Sequence, residues 1–256
     1  LAPLPSTEAA EEGTASEESA GAVEEAAGAQ EMTFVLNNEP DGIDPGITNN
    51  SFAVPFIVNC FEGLVTYSES GEVVPGNAES WDVNDDMTVY TFHLRQNAKW
   101  SDGQPVTAHD YEYGWKRLLD SSKGYDYASF ALNVVGAEEY NKGTGSRDDV
   151  AAKALDDYTF EVTLKVADPT FDAKLVATPL YPTREDIAEA AGDNWGKDWT
   201  LCVYNGPFCM SELVEDNKMV WTKNPYYWDA DNTKLDTVNW FLVAEDSTAA
   251  TMFENG

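Results

Sequence analysis

Residues 89–119 constrain the architecture more than any other stretch of the chain. Residues 89–95 alternate, with Tyr90, Phe92 and Leu94 on one side and Thr91, His93 and Arg95 on the other. That period of two belongs to a half-buried β-strand. Thr107 and Asp110 then stand at the spacing of a helix capping box. Behind them Ala108, Tyr111, Trp115, Leu118 and Leu119 fall on one stripe of a helix. A strand with one buried face followed by a helix with one buried stripe indicates a mixed fold, α/β or α+β.

Other segments continue the pattern. Residues 33–36 read as a strand, and residues 54–64 as a helix with Pro55 tolerated in its first turn. Residues 68–71 read as a hairpin turn. Phe160, Val162, Leu164 and Val166 form a second alternating strand, entered by the turn at Asp156 and Asp157. Thr183 is expected to cap a helix over 184–191, with Asp186 at the capping-box position. Residues 208–213 and 218–222 read as paired strands, and 238–243 as an apolar strand. Asp246 or Ser247 caps a last helix through Phe253, with Gly256 at its C-cap.

Composition narrows the partners. The 256 residues carry a formal net charge of -31. So acidic a chain argues against nucleic acid and an anionic bilayer as partners, because both call for basic patches. Residues 1–31 stand apart: the first 30 hold seven acidic residues, no basic residue and no aromatic. Such a segment buries too little apolar surface to offset its ordering entropy and reads as a disordered acidic tether. No run approaches the roughly 20 apolar residues that cross a bilayer. The three cysteines, Cys60, Cys202 and Cys209, are too few for a disulfide framework. They read as buried small apolar side chains, although a turn at 205–207 would bring Cys202 near Cys209.

Sites for chemistry are sparse. No nucleophile elbow, phosphate loop or dinucleotide fingerprint occurs. His93 and His109 read as surface or capping residues without metal partners. Asp229, Asp231 and Thr233 begin like a calcium loop, but Lys234 replaces the required glycine and Trp240 the terminal glutamate, so a solvated acidic turn is the reading. The many carboxylates and tryptophans leave a glycosidase open, since two carboxyls in an aromatic cleft are all it needs. No pair is marked for that role.

Several fragments carry a resemblance. They are Asp44-Pro45, Phe61-Glu62-Gly63-Leu64, Gly76-Asn77-Ala78-Glu79-Ser80-Trp81, Ala98-Lys99-Trp100-Ser101-Asp102-Gly103, Trp115-Lys116-Arg117-Leu118-Leu119, Tyr204-Asn205-Gly206-Pro207-Phe208, Lys223-Asn224-Pro225 and Tyr227-Trp228. In this order the chain closely resembles the extracellular solute-binding proteins, family 5, of oligopeptide and dipeptide ABC importers. The resemblance implies an α/β lobe of type II periplasmic-binding-protein fold with an inserted α+β domain. The first lobe would be 32–61 plus 182–256, and the extra domain 62–181. The family's second principal lobe would lie outside this chain. With half a clamp, ligand binding is expected to be weak or absent, and the inter-lobe face an apolar patch.

The resemblance further implies a binding protein, not an enzyme, that needs no cofactor or metal. Its ligand would be an extended peptide, paired through its main chain with Asn49, Asn50 and Ser51 and reached by Tyr127. Its other partner would be the ABC permease. The location would be extracellular, as a Gram-positive-type cell-surface lipoprotein held by a lipid anchor upstream of the chain. A non-peptide solute (nickel chelate, sugar or heme) and a surface interaction module are the alternatives.

Overall fold

A computed structural model describes residues 28–47 and 50–255. Nearly all of the expected acidic tether, the site residue Asn49 and the cap Gly256 lie outside the described residues. The chain begins with β1 (Glu31–Leu36) and α1 (Val54–Cys60), followed by the hairpin of β2 (Val65–Tyr67) and β3 (Val73–Pro75). Next come β4 (Ala78–Val83), β5 (Val89–Leu94) and α2 (Ala108–Leu118). α3 (Ala137–Asn141), β6 (Ala152–Asp156), β7 (Thr159–Thr163), α4 (Phe171–Lys174) and α5 (Glu185–Ala191) follow. Last are β8 (Phe208–Val214), β9 (Lys218–Lys223), β10 (Thr237–Leu242) and α6 (Asp246–Asn255).

Two four-stranded sheets organise these elements. One has the order β4-β5-β7-β6 and is antiparallel throughout. The other has the order β1-β10-β9-β8, with β1 parallel to β10 and the remaining pairs antiparallel. The fold is therefore mixed α/β, as the change of period at 89–119 predicts.

The first of these sheets is built as read. β5 buries Tyr90, Phe92 and Leu94. The backbone N–H of Thr107 donates to Asp110 Oδ2 at 2.8 Å, closing the capping box of α2. The helix presents its stripe to β6 and β7, and all five stripe residues are buried. Trp115 stands edge-on to Phe160 at 5.3 Å and to Phe171 at 6.4 Å. Its indole N–H donates to the Leu180 carbonyl at 2.9 Å, so burial leaves no polar group unpaired.

In the other sheet a row of rings runs from α1 outward. Phe56 meets Trp221 edge-on at 5.4 Å. Trp221 packs on Trp240 at 5.0 Å, and Trp240 stacks on Phe34 of the edge strand β1 at 4.8 Å. The parallel register of β1 with β10, which pairs Phe34 with Trp240, sets that last stack.

Three boundaries differ from the sequence reading, each for a tertiary reason. α1 ends at Cys60, not 64. The Glu62 N–H is taken by Asn205 Oδ1 at 3.1 Å, so it does not continue the helix. The cap of α5 is Arg184, not Thr183: Thr183 is buried with its N–H on the Asp110 carbonyl at 3.0 Å. Asp186 accepts from the Arg184 guanidinium at 2.6 and 2.7 Å, so it too is lost to a capping box. β7 stops at Thr163 because the Lys165 N–H leaves the ladder for the Asn133 carbonyl at 2.7 Å, and Val166 is 67% exposed.

The three thiols are free, and Cys60 is buried as expected, while Cys202 and Cys209 are only partly buried. Burial pushes the Cys60 thiol well above its ordinary range and the Cys209 thiol up to about 11, which makes both poor nucleophiles. His93 and His109 lie at the surface near Asp82 (2.8 Å) and Asp157 (3.3 Å).

Trp115 is the largest test of this core. Trp115→Ala is expected to cost about 3–5 kcal/mol, measured by urea unfolding, as for other buried aromatics. A cost below about 0.5 kcal/mol, the usual surface value, would contradict the packing described.

Candidate ligand-binding site

The loop between β1 and α1 holds the first predicted site residues, and one buried carboxylate shapes it. Asp44 is 1% exposed. Arg117 of α2 grips it with two prongs, Nη1 to Oδ1 at 3.1 Å and Nη2 to Oδ2 at 2.6 Å. Oδ1 also accepts from the Gly46 N–H at 2.9 Å. Such two-pronged pairing is among the stronger charge-assisted arrangements. Gly196 backs onto the same aspartate, where a Cβ would come within 2.5 Å of the Asp44 Cβ.

Asn50 ends this loop. Its Oδ1 accepts from the Phe52 N–H at 2.8 Å, and its carbonyl from the Ala53 N–H at 3.0 Å, so it turns the chain into α1. Asn50 is half-buried and Ser51 is exposed. Tyr127 sits in a 3₁₀ turn over Asp126–Ala131, half-buried and edge-on to Phe130 at 6.0 Å. The link between the two segments is indirect. Arg117, which holds Asp44, also lies 5.2 Å over the ring of Tyr125, two residues before Tyr127. Among the described residues no hydrogen bond or ring contact joins Tyr127 to Asn50 or Ser51.

A second polar centre joins the two sheets. The Glu62 N–H donates to Asn205 Oδ1 at 3.1 Å, and its carbonyl accepts from Asn205 Nδ2 at 2.9 Å and Asn77 Nδ2 at 3.0 Å. The side chain accepts from Tyr227 Oη at 2.6 Å and from Trp228 Nε1 at 2.7 Å. Nearby, the Ser101 N–H donates to the Tyr204 carbonyl at 2.7 Å, while the Tyr204 N–H donates to Ser101 Oγ at 3.0 Å. Arg184 adds an ion pair to Asp102 at 3.1 Å.

Asp44, Arg117, Glu62 and Asn205 all lie inside the fragments that carry the resemblance, but sequence reasoning gives them no role. A lone carboxylate beside an apolar run, as at Glu62, was the available signal, since such a group needs buried partners.

An apolar concavity of about 910 Å³ lies where α6 passes the β1–β10 edge, lined by Val35, Phe241, Met252 and Phe253 among others. Phe253 is 90% exposed. Among the described residues, no cluster of three or more His, Cys, Asp or Glu could hold a metal ion. No helix among them is long and apolar enough to cross a membrane.

Solved structures with this architecture are solute-binding proteins. The substrate-binding domain of an oligopeptide ABC transporter from Bacillus anthracis superposes with a TM-score of 0.88 at 33% identity, over 90% of this chain and 44% of its own. The dipeptide-binding protein DppE of Bacillus subtilis is 39% identical over 228 residues, 89% of this chain and 42% of that relative. The periplasmic oligopeptide-binding protein OppA of Salmonella typhimurium is 35% identical over 256 residues, 97% of this chain and 45% of that relative. The model of bacterial extracellular solute-binding proteins, family 5 Middle, matches residues 72–256, and the chain belongs to this family. It spans less than half the length of these relatives.

The buried pair at the loop gives a direct test. Arg117→Ala leaves Asp44 without its counter-charge and is expected to cost about 3–5 kcal/mol in urea unfolding. Asp44→Ala with Arg117→Ala together should cost less than the sum of the two single changes, and additivity would show that the pair is not coupled.

Proposed function

We propose that this chain is the N-terminal portion of the substrate-binding component of an ABC importer that captures extended oligopeptides outside the cell for delivery to the permease. The likeness over about nine-tenths of the chain to the dipeptide-binding protein DppE and to the oligopeptide-transporter domain carries this reading. The ligand's main chain would lie along residues 49–51, with Tyr127 reaching it from the inserted domain. Supporting this, Ser51 is exposed and Asn50 half-buried at the end of a loop that Asp44 and Arg117 hold in place. Rigid presentation of such a loop lowers the ordering cost of binding.

The division into a first lobe (32–61 and 182–256) and an inserted domain (62–181) belongs to the same proposal. It is supported by the sheets, each of which draws all four strands from one of those parts. The apolar concavity at α6 suits a face toward the remaining half of a clamp. The role is capture without turnover, and the location a Gram-positive-type cell-surface lipoprotein, which the acidic composition of residues 1–31 favours.

Thermal-shift and calorimetric titration with di- to pentapeptides tests the reading, on a protein in which this chain is continued to its relatives' length. At a peptide concentration of 100 times Kd, stabilisation of about 2.7 kcal/mol is expected from mass action. Stabilisation by oligosaccharides, nickel chelates or heme but not by peptides would replace the ligand class. In the same protein Tyr127→Ala should weaken peptide binding about tenfold, or about 1.4 kcal/mol. Unchanged affinity would remove Tyr127 from the site.

A further inference from the structure

Glu62 is a carboxyl buried at the junction of the two sheets, and every polar group it has is engaged. Its main chain is held by Asn77 from the start of β4 and by Asn205 from the loop before β8. Its side chain is held by Tyr227 and Trp228 from the segment after β9. These partners come from three separate segments, one leading into β4, one leading into β8 and one following β9, so a change in this one group is felt where both sheets begin. We propose that Glu62 is a proton-operated latch, tightest when its carboxyl is protonated, that makes the junction of the two sheets respond to pH.

The groups facing Glu62 come from several elements. Arg95, at the end of β5, lies 3.7 Å over the Trp228 ring, and its Nε donates to the Gly76 carbonyl at 2.7 Å. Its charge favours the carboxylate, but it makes no ion pair with Glu62 among the described residues. Asp229, beside Tyr227 and Trp228, opposes ionisation. Tyr111 of α2 and Tyr181 ahead of α5 sense the Glu62 charge, and neither brings a positive group. The buried Tyr111 hydroxyl interacts with the side chain of Asn77, whose amide nitrogen also holds the Glu62 carbonyl.

Both protonation states can be accommodated. The carboxylate accepts from the Tyr227 hydroxyl and the Trp228 indole. The acid keeps the Trp228 bond on its carbonyl oxygen and donates its proton to the Tyr227 oxygen, while the hydroxyl hydrogen of half-buried Tyr227 turns away. The balance between them is set by burial, which pushes the Glu62 carboxyl up to about 7. The hydrogen bonds from Tyr227 and Trp228 and the charge of Arg95 pull it back, and Asp229 adds to the rise.

The sign follows from linkage. An unfolded glutamate releases its proton near pH 4.5, and the folded one near pH 7. Between those values the folded state holds a proton that the unfolded state has lost, so raising the pH favours unfolding. The stabilisation is complete below about pH 4.5, falls as pH rises to about 7, and is level above that. Burial also raises the carboxyl of Asp110 on α2, so the wild-type profile contains both groups. A comparison of variants isolates Glu62.

The test is urea unfolding of the wild type and of Glu62→Gln between pH 4.5 and 8. Glutamine keeps the shape and mimics the neutral acid. The change in unfolding equilibrium constant across that range should be at least tenfold smaller in Glu62→Gln than in the wild type, because a proton held by the folded state alone changes that constant about tenfold for every pH unit crossed. Equal profiles would overturn the latch. A second measurement does not depend on the variant folding: in native wild-type protein the NMR signal of the Trp228 indole N–H should titrate with a midpoint near 7. A midpoint near 4.5, or no titration, would overturn it as well.

Discussion

One side-chain amide decides how the two sheets of this protein meet. Asn205 accepts from the N–H of Glu62 and donates to its carbonyl, as a neighbouring strand would. It is buried, so both bonds form where water cannot substitute for them. The approach is close enough that the next residue must be glycine. A Cβ on Gly206 would come within 2.7 Å of the Cys60 backbone, and the Gly206 N–H donates to the Cys60 carbonyl at 3.0 Å. Asn224, also buried, holds the Gly206 carbonyl from the other side at 2.9 Å. The end of α1, the start of β8 and the segment after β9 therefore converge on one point. The ring contacts of Phe61 with Phe56 and Tyr204 pack around it.

The fragments that carry the family resemblance map onto this seam. Glu62, Gly63 and Asn77 are in it, and so are Ser101, Tyr204, Asn205, Asn224 and Trp228. Gly63 is held to its small size by the Tyr181 ring, which a Cβ would meet at 2.6 Å. Glu62, Asn77, Asn205 and Asn224 are both buried and hydrogen-bonded, so substitution at any of them leaves an unpaired partner behind. Such positions make recognisable sequence signatures. They report how the parts are joined, not what the protein holds.

Legibility in the sequence followed the range of the interactions. β5 and α2 were readable because a buried face imposes its period on neighbouring residues, and Thr107 and Asp110 close their capping box within four residues. The paired strands β8 and β9 were readable for the same local reason. The end of α1, the cap of α5 and the end of β7 were not, because Asn205, Asp110 and Asn133 reach in from far along the chain. The same applies to the site. Asn50 and Tyr127 came from likeness, and nothing local announced that Asp44 and Arg117, 73 residues apart, would pair to brace the β1–α1 loop.

This separation of seam from loop bears on specificity. The seam residues are spent on each other: their donors and acceptors are paired within the protein. Ser51 and the half-buried ring of Tyr127 have surface that the core does not claim. The Asp44–Arg117 pair anchors the β1–α1 loop to α2 from within the loop. Architecture here rests on buried amides such as Asn77, Asn205 and Asn224, and the exposed positions of the loop take no part in that task.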